Sequence, residues 1–321
     1  MRLVILLALL CVAPPSALRA QDGGATYLVV ITGVSGEPRI GEQWHGMAMA
    51  LATAATTRFA IPAAQVTVLE EDSTRGGARL VGRSSRATIE RVLGALARTL
   101  GPTDRLAVVL IAHGSTLGGG PKVNLPGPDM SDADFAKALA PATAPMVAFV
   151  HTGSASGDFV AALGGPRRIV ITATKSGREQ NETLFPGYFV RALTTDDGDA
   201  DKDGRVSLFE AFSYAKHEVE QLFAQGNRLP SEHAQLADGA DGARARSFFL
   251  ASTTGSAVTS THPAAAELLR ERAAVQGRID ELRGRRAELS EDAYQRALEP
   301  LIVELATRTR ALRALESGAK P

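Results

Sequence analysis

Short apolar runs alternate with longer amphipathic segments through the middle of the chain. Runs rich in β-branched residues are typical of strands that are buried on both faces of a sheet. Such runs occupy residues 27–32, 66–69, 106–112, 146–151 and 168–172. Helical patterns occupy residues 41–58, 84–100, 131–139, 157–163, 182–193 and 208–223. Because parallel strands are joined by crossover helices, this alternation predicts an α/β fold, in which a mainly parallel sheet carries helices on both faces.

Polar side chains follow two of the predicted strands directly. His113, Gly114 and Ser115 come after the third apolar run, and residues 151–157, with the sequence HTGSASG, end the fourth run and continue beyond it. In an open parallel sheet, functional groups are expected just beyond the carboxyl ends of the strands. The sequence therefore predicts that these two segments carry the functional site.

The C-terminal part of the chain has a different pattern. From about Pro263 the apolar residues follow a three-and-four spacing in two stretches, which are separated by a break at Ser290. This spacing predicts an antiparallel helical hairpin, or coiled coil, over residues 263–321. A Ser- and Thr-rich linker is predicted at residues 253–262. Such a hairpin most often covers an apolar surface, and an oligomer formed through it is the alternative.

The N-terminus reads as a secretory signal over residues 1–20. Arg2 supplies the positive charge, and residues 3–13 form the apolar run. The run is too short for a permanent anchor, and no later stretch reaches transmembrane length. We therefore predict no permanent membrane span and a secreted or periplasmic protein. The α/β domain would then occupy residues 21–252.

Composition narrows the possible functions. The lone cysteine, Cys11, lies inside the predicted signal, so the mature chain would lack thiols, disulfides and cysteine-bound metals. Lys and Arg number 35 and are balanced by 35 Asp and Glu, which gives a formal net charge of +0. This balance argues against a nucleic-acid partner, because such proteins neutralise phosphates with basic residues.

An acidic segment at residues 199–210, with the sequence DADKDGRVSLFE, fits the twelve-residue calcium loop of an EF-hand. Gly204 falls where the loop needs a sharp turn. The predicted ligands are the carboxylates of Asp199, Asp201, Asp203 and Glu210, the backbone carbonyl of Arg205, and Ser207 directly or through water. Ser207 and Glu210 also fit a helix capping box, which needs no metal. The box leaves the three crowded aspartates unexplained, since they repel one another unless a cation lies among them. We therefore predict a bound Ca²⁺.

The order of several segments resembles the caspase/legumain clan of cysteine peptidases, in particular the bacterial legumain-like and caspase-like proteins. A strand ends in His113-Gly114, and a later strand ends near Ser156-Gly157. Further similar segments are residues 171–174, 185–193, 199–210, 210–212 and 231–234. The resemblance covers residues 26–249 and implies a caspase-like fold.

In that clan a cysteine is the nucleophile and the His-Gly histidine is its base. The resemblance places the base at His113 and the nucleophile position at Ser154, two residues before Ser156. It also implies an oxyanion hole formed by backbone amides near Gly114 and Ser154. A hydroxyl is far less ionised than a thiol at pH 7 and needs a better oriented base. The sequence does not identify an acid that would orient His113.

Three interpretations of Ser154 are open at this point. It is a substituted position in an inactive pseudopeptidase that binds a peptide or protein partner, or it pairs with His113 as a working nucleophile, or it is merely a small residue in a tight turn. The surrounding sequence does not match the Gly-x-Ser-x-Gly elbow of serine hydrolases, because Ala155 occupies the central position. We therefore predict a binding or scaffold module, with a Ser154–His113 hydrolase as the alternative.

Overall fold

A computed structural model describes residues 24–75, 80–143, 146–201, 205–250 and 289–316, together with single residues and short groups between 267 and 282. The predicted signal at residues 1–20 and the predicted linker at residues 253–262 lie outside the described residues. None of the helices in the described ranges is both long and apolar enough to cross a membrane.

The strands are, in chain order, β1 Thr26–Thr32, β2 Val66–Glu70, β3 Leu80–Arg83, β4 Arg105–Ile111, β5 Gly114–Ser115, β6 Lys122–Val123, β7 Met130–Ser131, β8 Met146–His151, β9 Arg168–Thr172 and β10 Gln235–Ala237. A seven-stranded sheet has the order β10-β9-β8-β4-β1-β2-β3, and a small three-stranded sheet has the order β5-β6-β7. In the large sheet β10 pairs antiparallel with β9, whereas the other neighbours are parallel. The predicted strands and the mainly parallel sheet are confirmed.

The helices are α1 Pro38–Thr57, α2 Arg86–Thr99, α3 Asp132–Leu139, α4 Phe159–Leu163, α5 Phe185–Thr194, α6 Leu208–Gln225, α7 Ala243–Ser247 and α8 Glu291–Glu316. Helices α1, α5, α6 and α7 contribute to one apolar cluster, and α2, α3 and α4 contribute to another. Leu28 and Val30 belong to the first cluster, whereas Val29 and Ile31 belong to the second. This alternation follows from the pleat of a strand, so the sheet separates two layers of helices as predicted.

Prolines fix where some of these helices begin. Helix α1 starts at Pro38, earlier than the pattern predicts, because a proline at the first helical position loses no hydrogen bond. Pro186 lies in the first turn of α5 for the same reason. Pro300, by contrast, lies inside α8.

Parts of the predicted C-terminal hairpin, residues 263–321, lie within the described residues. Val275 and Ile279, both helical, pack against Leu305 of α8. Arg278 pairs with Glu304 at 2.7 Å, and Arg308 pairs with Glu271 at 2.8 Å. Because residue 271 pairs with residue 308 whereas residue 278 pairs with the earlier residue 304, the two helical segments run antiparallel.

Candidate functional site

The two segments that the sequence singles out meet at one edge of the sheet. Strands β4 and β8 are parallel neighbours, and Leu110 lies opposite His151 in their register. The residues that follow both strands therefore leave the sheet side by side. His113-Gly114 and the turn at residues 152–157 are thereby brought into contact.

Ser154 lies inside this contact. Its side chain is 2% exposed. The Oγ atom accepts a hydrogen bond from the backbone N–H of Gly114 at 3.3 Å and lies 3.4 Å from the Gly114 carbonyl oxygen, to which it donates. The hydroxyl is thus directed at the main chain of Gly114.

His113 is half-buried beside the same glycine. Its ring packs edge-on against the indole of Trp44, with the ring centroids 4.8 Å apart. Within the described ranges the ring nitrogens of His113 make no hydrogen bond, either to Ser154 or to a carboxylate. The structure therefore brings His113-Gly114 and Ser154 together without a hydrogen bond between the imidazole and the hydroxyl.

The two predicted oxyanion-hole amides differ in their partners. The Gly114 N–H is engaged by Ser154, whereas the Ser154 backbone N–H makes no hydrogen bond among the residues that the structure describes. A Cβ atom on Gly114 would lie 2.4 Å from the Ser154 carbonyl oxygen. Glycine is therefore required for this close approach of the two segments.

Hydrogen bonds to neighbouring segments fix the turn after β8. Thr152 donates its hydroxyl to the Leu110 carbonyl at 2.8 Å. Ala155, whose φ of 52° is rare for a residue with a side chain, donates its N–H to the Glu179 carbonyl at 2.7 Å. The turn is thus held from β4 on one side and from the loop after β9 on the other.

Thr174 holds the second half of the same turn. Its hydroxyl oxygen accepts from the backbone N–H groups of Ser156 at 2.8 Å and Gly157 at 3.0 Å. A Cβ on Gly157 would lie 2.2 Å from backbone atoms of Lys175 and Ser176. The Ser156-Gly157 pair is therefore a packing element of the turn.

His151, the last residue of β8, contacts the turn through Gly153. It is fully buried, and its Nδ1 accepts the N–H of Gly153 at 3.3 Å. Its Nε2 has no hydrogen-bond partner among the described residues, and its ring packs edge-on against Phe159 with centroids 4.9 Å apart. Burial lowers the pKa of His151 to about 3, so the imidazole is neutral at pH 7.

Two residues of the segment 231–234 contact the chain between β9 and α5. The carboxylate of Glu232, which is buried, accepts the N–H groups of Leu184 at 2.8 Å and Phe185 at 3.2 Å at the start of α5. Burial raises its pKa. His233 pairs with Glu179 at 2.5 Å. These contacts fasten the loop after β9, whose Glu179 carbonyl in turn holds the site.

The acidic segment brings three of its predicted ligands together. Carboxylate oxygens of Asp199, Asp201 and Glu210 lie within 4.8 Å of one another. The capping box is also present, because Glu210 Oε2 accepts from the N–H of Ser207 at 2.9 Å and from its hydroxyl at 2.7 Å. Asp203 and Gly204 lie outside the described residues.

The end of the acidic segment is joined to residues 248–250. Ser207 forms a β-bridge with Phe249, and the Leu208 N–H donates to the Phe248 carbonyl at 2.9 Å. The Arg205 guanidinium lies 3.7 Å from the centroid of the Phe249 ring. Residues 248–250 thus pair along the end of the acidic segment.

No family model matches the chain, and no curated protein matches it. Among solved structures, caspase-1 from Spodoptera frugiperda is similar in fold, with a TM-score of 0.43 and 10% identity. The similarity covers 68% of this chain and 89% of that chain. Similarity of this degree assigns neither a family nor an activity.

Proposed function

We propose that the protein is a pseudopeptidase of the caspase/legumain type, a module that binds a peptide or protein segment without cleaving it. The observation that carries the proposal is the burial of Ser154 and the engagement of its hydroxyl by the Gly114 main chain. A serine nucleophile needs a base within hydrogen-bond reach. The hydroxyl of Ser154 is bonded elsewhere.

The same contact also obstructs an oxyanion hole, which acyl transfer requires in addition to an activated nucleophile. An oxyanion hole needs free N–H donors where negative charge develops. At this site the Ser154 hydroxyl already occupies the Gly114 N–H. A hydrolase would have to rotate the hydroxyl toward His113 and thereby release the amide. The half-buried His113, whose ring packs on the buried Trp44, is the accessible part of the site, and we propose that the partner segment contacts it.

We expect the purified mature protein to leave reporters ending in Asn or Asp uncleaved and to resist labelling by a fluorophosphonate probe, because the hydroxyl is buried and unactivated. Labelling is measured by mass spectrometry of the turn peptide. Ser156→Ala provides a control for disturbance of the same turn. Labelling that persists in Ser156→Ala but disappears in both Ser154→Ala and His113→Ala would establish the hydrolase instead. Cleavage restored by Ser154→Cys would support the assignment of position 154 to the lost nucleophile.

We further propose that residues 199–210 bind Ca²⁺ and that the ion stabilises this loop. The proposal is supported by the carboxylates of Asp199, Asp201 and Glu210, which are close together in space as well as suitably spaced in the sequence. Asp203 and the backbone carbonyl of Arg205 would complete a set of hard oxygen ligands, the type that Ca²⁺ prefers. A secreted or periplasmic location, which we propose from the signal segment, would expose this site to extracytoplasmic calcium.

We expect 10 mM Ca²⁺ to raise the melting temperature by several degrees. Extracellular sites with a Kd of ~10⁻⁴–10⁻³ M are stabilised at that concentration by about 1.4–2.7 kcal/mol. Scanning calorimetry with and without Ca²⁺ measures the effect. The double variant Asp201→Asn, Glu210→Gln should abolish it, since glutamine preserves the capping box but lowers the charge. Asp197→Asn removes a charge just outside the loop and should retain the rise. An unchanged melting temperature of the wild-type chain would refute the metal site.

A further inference from the structure

A crevice of about 560 Å³ opens at the carboxyl ends of β1 and β2. It lies on the opposite side of β1 from β4, and therefore away from Ser154. Its lining consists of residues 35–38, 71–75 and Arg83. A second, much smaller pocket of about 10 Å³ shares Glu71, Asp72 and Arg75 with the crevice and is also lined by Trp44 and His45 of α1.

Two carboxylates around the crevice each have one oxygen that accepts two hydrogen bonds from neighbouring residues. Glu71 accepts from the Ser35 N–H at 3.0 Å and the Ser35 hydroxyl at 2.8 Å. Asp72 accepts from the Thr74 N–H at 2.9 Å and the Thr74 hydroxyl at 2.6 Å. Glu37 is exposed at the rim, where solvent and salt screen its charge.

The small pocket has one further carboxylate, Glu70, and it too is engaged. Glu70 is buried, and its two oxygens accept from Nδ1 of His45 at 2.9 and 3.0 Å.

The guanidinium groups of Arg75 and Arg83, by contrast, make few hydrogen bonds. Arg83 donates only its Nε, to the Glu71 carbonyl at 3.2 Å. The Arg75 guanidinium lies 3.8 Å from an Asp72 oxygen, and it makes no hydrogen bond in the part of the chain that the structure describes. Its side chain is only 28% exposed, so water reaches it incompletely. Because each guanidinium carries five N–H groups, Arg75 and Arg83 retain most of their donors for a ligand.

Gly41 gives Arg75 its position. A Cβ atom at Gly41 would lie 3.0 Å from Nη2 of Arg75 and 3.0 Å from Oγ of Ser35. The missing side chain therefore allows the guanidinium to lie against the first turns of α1, inside the crevice.

We propose that this crevice binds an oxyanion, a phosphate or carboxylate group of a small ligand, held by Arg75 and Arg83. Planar guanidinium groups with free N–H pairs match the oxygens of such groups in a bidentate manner. The proposal is independent of whether Ser154 is active, because none of residues 152–157 lines the crevice.

Isothermal titration of the full mature chain with inorganic phosphate, and separately with succinate, tests the proposal. We expect saturable binding of at least one of the two, and the one that binds identifies the phosphate or carboxylate source. Arg75→Gln should weaken binding at least tenfold. Gly41→Ala should weaken it severalfold by displacing Arg75, while the helix itself gains propensity. Unimpaired binding in both variants would place any anion elsewhere.

Arg39→Gln is the matched control, because Arg39 lies on α1 beside the rim but outside the lining and carries the same charge. Binding should be unchanged in this variant. Equal losses in Arg39→Gln and Arg75→Gln would show a general charge effect and overturn the proposal, as would the absence of binding of both anions to the wild-type chain. Arg75→Lys, which preserves the charge but not the planar fork, should bind with intermediate affinity if Arg75→Gln fails to fold.

Discussion

Replacing Gly153 by alanine is expected to prevent stable folding of the α/β domain. A Cβ at this position would lie 1.6 Å from the carbonyl oxygen of Ala112 and 2.7 Å from its carbonyl carbon. These are backbone atoms just beyond β4, so no side-chain rotation relieves the overlap. We expect a loss of roughly 4 kcal/mol or more, which is at the upper end for single substitutions and a large share of the stability of a domain.

Urea denaturation followed by circular dichroism measures this loss. Gly46→Ala is the control, since Gly46 lies on the exposed side of α1 and a Cβ there meets no atom within 4 Å. That variant should be as stable as the wild-type chain or more stable by up to about 1 kcal/mol, because alanine favours the helix. A Gly153→Ala protein with wild-type stability would show that the turn after β8 is not packed against β4 as described.

Acid is expected to destabilise the protein through His151. Its pKa is about 3 in the folded chain because of burial, compared with about 6.5 when unfolded. Below pH 6.5 His151 therefore binds a proton in the unfolded chain, whereas in the folded chain it binds one only near pH 3. Stability from this group is fully present above pH 6.5 and falls by about 1.4 kcal/mol per pH unit, on the order of 5 kcal/mol by pH 3.

The measurement is the free energy of unfolding between pH 7 and pH 4 for the wild type and for His151→Asn. Asparagine offers an acceptor to the Gly153 N–H but does not titrate. The variant should be less stable at pH 7, because it leaves a void, yet lose stability less steeply as the pH falls. His217→Asn, on the exposed side of α6, removes a different imidazole and should preserve the wild-type slope. Equal slopes in wild type and His151→Asn would contradict the burial of a neutral imidazole.

Sequence periodicity was sufficient for the elements that build the core. Runs such as residues 106–112 are apolar on both faces, and the structure buries both faces of β4. The missed strands gave weaker signals. β10 is only Gln235–Ala237, a half-buried antiparallel edge, and β3 contains Gly82 at a φ of 158°. Two-residue strands such as β5 are defined by their hydrogen bonds to a neighbouring strand and are too short to show a periodic pattern in the sequence.

The candidate site was predictable only where chain connectivity determined it. His113 and residues 151–157 were predicted to carry the site because both follow the carboxyl ends of strands in a parallel sheet. The direction of the Ser154 hydroxyl, by contrast, depends on the position of Gly114 in space. Trp44 and Glu179 come from distant segments, and nothing in their spacing indicates the contacts that they make. The calcium prediction needed no such knowledge, because all the ligands that it proposes lie within one short loop.

The strand order has a consequence for how the polypeptide assembles during synthesis. The strands made first, β1 to β4, are contiguous in the sheet as β4-β1-β2-β3, and the strands made later add outward from β4. The early half can therefore pair before the later strands join it, but it presents the unpaired edge of β4 until β8 arrives. An open apolar edge of this kind invites association with other nascent chains, so this interval is the vulnerable stage of biogenesis.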